Sequence, residues 1–446
     1  MMFTPPLLHA VAGLDSHALG ASLPLWSVAP FVAMLASIAL LPLVWPHGWE
    51  SNRTRGLVAF GLGAPVAIGM ALRAPDVVGH TAWEYLAFIV LLGSLYVTAG
   101  GIILRGRLPG RPMVNAGLLG LGALLASLIG TTGASMLLIR PLLRANAGRA
   151  RQAHVVVFFI FLVSNIGGLL TPLGDPPLFL GFLRGVPFGW TLRLVAPWGL
   201  SCGVLLALFY GIDRVLFARE ANPLPHHRDD KVPLELGGVL NFAWLAALVA
   251  LILASGAWHL PAGTQEVGML AIGALAWTTT PAGLRRENGF SWAPMAEVAI
   301  VFAGIFATMM PALAILNARG GELGITEPWQ FFWLTGLLSS LLDNAPTYLT
   351  FTATASALLG TDAGSLGELL ASARGETLLA AISMGAVMMG ANTYIGNGPN
   401  FMVKAVAEAH GVRMPNFFGY MGVAMATLLP LFGLVTWVFL TGAVRA

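Results

Sequence analysis

The stretch Ser164-Asn165-Ile166-Gly167-Gly168-Leu169-Leu170-Thr171-Pro172-Leu173-Gly174-Asp175-Pro176-Pro177 interrupts an apolar segment running from His154 to Leu183. Paired glycines, three prolines, an asparagine and an aspartate are the residues least suited to hydrocarbon. Without water every freed backbone group needs a protein partner, so such a break survives only where it is buried in protein or lines a wet cavity. A second break, Asn392-Thr393-Tyr394-Ile395-Gly396-Asn397-Gly398-Pro399-Asn400, lies near the C-terminus. Two Gly/Pro-interrupted apolar segments, one in each half, point to the binding site of a secondary transporter.

Of 446 residues 57% are hydrophobic and 10% charged, against about 25% charged in soluble proteins. The composition is that of a polytopic membrane protein. One cysteine, Cys202, excludes a disulfide framework within the chain and a multi-cysteine metal site. The net charge of +3 is spread over many short loops, which fits topology signalling better than nucleic-acid binding. Residues 1–27 lack the basic start of a secretory signal, so no cleaved targeting segment is expected.

Apolar spans of crossing length, about 20 residues, run over 28–45, 56–72, 85–104, 154–183 (broken) and 190–217. Between the third and fourth, two short apolar arms over 114–144 surround the tip Thr131-Thr132-Gly133-Ala134-Ser135 and read as a re-entrant hairpin. The second half repeats that order. Spans at 236–256, 266–280 and 294–316 precede a hairpin over 329–359 with the tip Asp343-Asn344-Ala345-Pro346, a broken span at 376–409 and a last span at 418–440. Five crossings per half is odd, so the second half enters the membrane upside down. The expected fold is therefore an all-α polytopic membrane protein with two inverted-topology repeats, each holding a re-entrant hairpin and a broken transmembrane helix. The expected divisions are an N-terminal periplasmic segment (1–27), the first repeat (28–217), a charged cytoplasmic linker (218–235) set in the polar stretch from Asp213 to Glu235, and the inverted repeat (236–446).

Loops reached after the first span carry 16 of the 23 basic residues and the other side six, with Arg140 inside the first hairpin. By the positive-inside rule the richer side is cytoplasmic. The expectation is a multi-pass protein of the bacterial inner (plasma) membrane with both termini periplasmic.

Asp175 and Asp343 each fall in a predicted mid-membrane break, where an ionisable residue is by default a functional-site hypothesis. A carboxylate there can bind a hard cation such as Na⁺, or take up a proton, since burial favours the neutral form. The bland alternative is helix capping: Gly-Asp-Pro-Pro reads as an N-cap followed by proline at the first helical position. Neutral oxygen donors stand nearby: Thr131, Thr132, Ser135, Ser164, Asn165, Thr171, Asn344, Thr347, Asn392, Thr393 and Asn397. Such groups suit Na⁺ or Li⁺, while half-helix N-termini favour an anion. Many Ser and Thr in membrane helices simply bond to a neighbouring carbonyl or helix.

Aligning Thr132-Gly133-Ala134-Ser135 with Asn344-Ala345-Pro346-Thr347 sets Thr131 opposite Asp343, and aligning the breaks sets Asp175 opposite Asn397. Each half then contributes one acid, at non-equivalent positions, to a single asymmetric site. Arg140 is a possible counter-charge for a carboxylate or an anionic substrate, or a residue that snorkels to the boundary. Lys404 and Glu408, four apart on a helix, are expected to pair. His154, His410 and His226-His227 show no metal-ligand spacing toward an acid.

These motifs, taken in order, resemble the ion transporter superfamily, and most nearly the NhaD-type sodium/proton antiporters and ArsB-like arsenite permeases. Asp343-Asn344-Ala345-Pro346 is similar to their Asp-Asn-x-Pro tip. The run Thr131 to Pro141 resembles a subgroup described as sodium/proton antiporters or citrate transporters. The resemblance implies a homodimer of scaffold and transport domains with an elevator-like movement. The paired Ser-Asn-Thr motifs of dicarboxylate carriers are only approximated, by Ser164-Asn165-Ile166 and Ala391-Asn392-Thr393.

The sequence thus leads to a Na⁺(Li⁺)/H⁺ antiporter, with Asp175 and Asp343 holding cation and proton alternately. A citrate-like carboxylate symporter and an arsenite-type anion permease are the alternatives. Transported Na⁺ or Li⁺ and H⁺ are expected rather than any cofactor, with the bilayer and small ions or carboxylates as partners and no nucleic acid. Neither an enzyme's paired nucleophile and base nor a nucleotide-binding loop is legible.

Overall fold

The structure is a computed structural model that describes residues 18–441 apart from 50, 107, 221–234, 259 and 262. The first 17 residues of the expected N-terminal segment, nearly all of the linker with His226-His227, and Arg445 lie outside the described residues.

The helices follow in order: α1 (Ala29–Val44), α2 (Asn52–Ala71), α3 (Pro75–Ala99), α4 (Pro112–Ile129), α5 (Thr131–Asn146), α6 (Ala153–Leu162), α7 (Pro176–Leu183) and α8 (Val195–Ala218). Then come α9 (Leu240–Trp258), α10 (Thr264–Thr279), the short α11 (Ala282–Glu287), α12 (Ala293–Arg319), α13 (Pro328–Leu341), α14 (Asn344–Leu359), α15 (Ala373–Met389), α16 (Gly398–Ala409) and α17 (Phe417–Val435). Eight stretches among the described residues are long and apolar enough to cross a membrane. The chain is an all-α polytopic membrane protein. Among the described residues the one extended feature is a ribbon of β1 (Ile103–Arg105) and β2 (Glu235–Gly237), antiparallel with Leu104 opposite Leu236. Arg105 at its end donates to both carboxylate oxygens of Glu287, at 2.6 to 3.2 Å, and holds that carboxyl below its usual range.

By contact the helices form two groups. One packs α2 and α3 against α12, with α1, α9 and α10 alongside; the other packs α4 against α5 and α8, and α15 against α13 and α14. The two meet through α3, which touches α5 and α7, and through α12, which lies along α14. Beyond His154 in its first turn α6 is apolar on every side, and Val155 to Leu162 are all buried. A helix without a polar face belongs in the middle of a bundle, and α6 occupies that place.

Both apolar breaks are real. Between α6 and α7 the chain forms a tight turn over Ile166–Leu170, and between α15 and α16 another over Gly390–Asn392. The hairpins differ from expectation at their tips. The first turns on the single residue Gly130, with φ +80°, so Thr131 to Ser135 are already helical. Glycine adopts that left-handed conformation without steric cost.

Asp213, the start of the polar stretch in sequence, lies within α8, which continues to Ala218 and buries it. Its carboxylate meets Arg149 at 2.6 Å, both side chains being 0% exposed, and His154 at 2.8 Å. Asn115 donates to its second oxygen at 3.0 Å. Arg149 is thus a buried partner rather than a loop charge, and His154 bonds to the same acid without forming a metal-ligand set among the described residues. Removing one member of a buried pair strands the other charge, at a cost of about 3–5 kcal/mol. Asp213→Leu is therefore expected to lower the unfolding midpoint in detergent sharply, and a midpoint equal to that of the parent protein would contradict the clasp.

Candidate functional site

The site begins with Asp175, which precedes α7 and is 1% exposed. As the N-cap it could be spent on the helix, but it makes no side-chain cap bond. Pro177 at the second helical position has no N–H to offer, and the Leu178 N–H at the third goes to the Asp175 backbone carbonyl at 3.1 Å instead. Its carboxylate turns instead to three other elements. Thr131 Oγ1, the first residue of α5, donates to Oδ1 at 3.2 Å. Asn397 Nδ2, before α16, donates to the same oxygen at 3.2 Å. Asn344 Nδ2, the first residue of α14, donates to Oδ2.

Asp343 is the N-cap of α14 and accepts from the Ala345 amide at 3.2 Å. Capping is thus part of its role, but it also lines, with Asp175, a cavity of about 110 Å³. The polar wall of that cavity comes from Gly130 to Gly133, Pro172 to Pro176 and Asn397 to Pro399; the apolar wall comes from Leu91 to Tyr96 on α3 and Pro294 to Phe302 on α12. Thr132 belongs to the polar wall. The N-termini of α5, α7, α14 and α16 meet here, and each brings partial positive charge. Among the described residues no Arg, Lys or His side chain is in the lining.

Behind the cavity lies a second layer of polar contacts. Ser135 Oγ and Ser164 Oγ are 3.0 Å apart, and the Ser164 carbonyl accepts from Asn397 Nδ2 at 3.0 Å. Asn165 Nδ2 donates to Asn400 Oδ1 at 2.7 Å, tying the first break to the second. Asn400 in turn donates to the carbonyls of Gly390 and Thr393, both at 2.9 Å. The amide oxygens of Asn165, Asn344 and Asn392 are buried with no hydrogen-bond partner among the described residues.

Four expected ligands are placed elsewhere. Thr171 donates its hydroxyl proton to the Ser127 carbonyl and accepts from Leu173 N at 3.1 Å. Thr393 does the same with the Ser340 carbonyl at 2.5 Å and accepts from Ile395 N and Gly396 N. Each threonine therefore pins a break to the preceding hairpin. Thr347 bonds back to the Asp343 carbonyl at 3.0 Å within its own helix. Arg140 lies nine residues along α5 from Thr131, about 13 Å at 1.5 Å per residue, and donates to the Asn288 carbonyl at 2.6 Å. It is not a counter-charge to either aspartate, because the helix carries it toward the α11–α12 turn.

The two clips recur one residue out of step with the internal alignment read in sequence. Ser127 and Ser340 occupy corresponding positions, so Gly130 answers to Asp343 and Thr131 to Asn344, one residue away from the pairing read in sequence. Asp175 and Asn397 do correspond: each precedes a half-helix and caps nothing with its side chain. Sequence reasoning does not find Ser127, Ser340 or Asn400, because serines inside apolar helices carry no local signal and Asn400 stands only as the end of a break. Lys404 and Glu408 pair at 2.9 Å as expected.

Residues 20–440 match a family described as "Putative citrate transport". The chain belongs to that family. No curated protein matches it. Membership of a transport family accords with a cavity at two helix breaks in a multi-pass protein.

Removing a clip strands a buried carbonyl and an amide, which costs about 1–3 kcal/mol per unsatisfied group. Thr171→Val and Thr393→Val should each lower thermal stability in detergent, whereas Thr171→Ser should keep it. Equal midpoints for valine and serine would refute the clip.

Proposed function

We propose that this member of the family is a secondary active antiporter that exchanges Na⁺ or Li⁺ for protons at Asp175 and Asp343. The observation that carries the reading is the pair of carboxylates in one cavity without a basic side chain in its lining. Buried charges are paired or coordinate metal ions, so the pair calls for a cation or a proton. The unpartnered Asn344 Oδ1 beside Asp175 adds a neutral oxygen of the kind hard cations accept. A cation and a proton then compete for the same oxygens, and exchange follows from that competition. Two inverted repeats, supported by the recurring hairpin, clip and broken helix, would place this site near the midplane. The same reading puts both termini in the periplasm of a bacterial inner membrane and takes the protein as a homodimer.

The family description favours a second reading, a symporter for citrate or a related carboxylate. With Arg140 turned away, the anion would rest on the N-termini of α5, α7, α14 and α16, and would need the two aspartates protonated or cation-bound. An arsenite-type anion permease would use the same surfaces.

The test is reconstitution in vesicles with an imposed pH gradient, followed by separate additions of Na⁺, Li⁺, K⁺ and citrate. Antiport predicts that Na⁺ or Li⁺ alone collapses the gradient, and that Asp343→Asn and Asp175→Asn each reduce this to background while remaining folded. Collapse by citrate alone would establish the carboxylate carrier instead. Arg140→Gln is expected to retain exchange; its loss would restore Arg140 as a counter-charge.

A further inference from the structure

α7 carries Asp175 at its N-terminus and Arg184 at its C-terminus. Its eight residues make a rod about 12 Å long. Arg184 is buried and forms a two-pronged ion pair with Glu84 of α3: Nε to Oε1 and Nη2 to Oε2, both at 2.9 Å. The side chains are only 7% and 5% exposed. Arg184 is also held on its own side of the bundle, by Nη1 to the Ala363 carbonyl at 3.3 Å and by its own carbonyl, which accepts from Gly367 N at 3.3 Å. Toward the C-terminal end of the rod, Gly181 lies so close to the Tyr348 hydroxyl of α14 that a Cβ there would have no room. α7 thus packs directly on α14, the helix that Asp343 caps.

The pair and the cavity sit toward opposite ends of α3. The cavity wall runs from Leu91 to Tyr96, and Tyr96 reaches the α11–α12 turn through a 2.6 Å bond to the Ser291 carbonyl. Glu84 is seven residues back from Leu91, about 10 Å along the axis. One turn further, His80 is mostly exposed and lies 3.4 Å from Glu84 Oε1, so the pair stands just beneath the surface of that end. α3 belongs to one helix group and α7 to the other. The pair bridges the two where the cavity does not reach.

We propose that Glu84 and Arg184 form the gate that shuts the pathway at the end opposite the cavity, with α7 linking that gate rigidly to Asp175. The proposal rests on the transporter reading, since a transporter must expose one site to each side in turn. A buried, fully satisfied ion pair is strongly favoured over either partner stranded in an apolar interior. The gate is therefore either shut with both charges paired or open with both in water. Movement of α7 that opens the Glu84 end carries Asp175 away from the α3–α12 wall, closing the present cavity.

The experiment uses the full chain in sealed vesicles, with Cys202→Ala to remove the single native thiol and Val298→Cys as a reporter on the α12 wall of the cavity. A membrane-impermeant maleimide is added to one side or the other. With the gate intact, the reporter is labelled from the side that carries the α11–α12 turn. Glu84→Gln should slow that labelling about tenfold, equivalent to ~1.4 kcal/mol of lost preference for the present state. The double variant Glu84→Gln/Arg184→Gln, which leaves no stranded charge, should slow it similarly and excludes misfolding as the cause. Labelling of the double variant at the parent rate would overturn the gate. Labelling requires no knowledge of the cargo. Absence of exchange with Na⁺, Li⁺ or citrate would thus defeat the proposed function, while the labelling rates would still decide whether the ion pair controls access.

Discussion

Peptide groups freed in the middle of an apolar bundle have no water to turn to, and the whole arrangement follows from how they are satisfied. Each broken helix is pinned to the hairpin before it by a threonine that donates to a serine carbonyl and accepts from its own turn, Thr171 on Ser127 and Thr393 on Ser340. The Thr131 amide adds a bond to the Gly174 carbonyl at 2.9 Å. Once hairpin and break are joined in each half, and Asn165 has joined the breaks to each other through Asn400, four half-helix N-termini converge on one place. The cavity is the consequence.

Charge in this interior is treated in two ways. Asp213 with Arg149 and Glu84 with Arg184 are compensated inside the protein, with short contacts and further hydrogen bonds. Asp175 and Asp343 receive only neutral donors and the partial charges of helix ends. A buried carboxylate left without a fixed counter-charge needs a proton or a mobile cation. The absence of basic side chains from the lining is thus the most informative feature of the site, and its two occupants are alternatives by electrostatics alone.

Membership of a family described by citrate transport and a cavity lined by two acids pull in different directions. They are reconciled if cation binding is what makes the helix N-termini available to an anion, since those ends otherwise face two negative groups. Coupling between ion and carboxylate would then be electrostatic.

The amino-acid sequence alone determined the features that depend on neighbours in the chain. Glycine and proline in an apolar run mark the two breaks, and an i,i+4 spacing pairs Lys404 with Glu408. Only the tertiary structure decided who meets whom. Asp175 meets Asn344 and Asn397 across more than a hundred residues, Asp213 gathers Arg149 and His154, and Glu84 meets Arg184. It also turned Arg140 away from the acids, assigned Thr171 and Thr393 to the backbone, and shifted the equivalence of the hairpins by one residue. Composition reveals that a hydroxyl or a cation lies at membrane depth. Which partner it takes is set by the packing of helices remote in sequence, because in a dry interior a polar group bonds to whatever the fold brings within 3 Å or so.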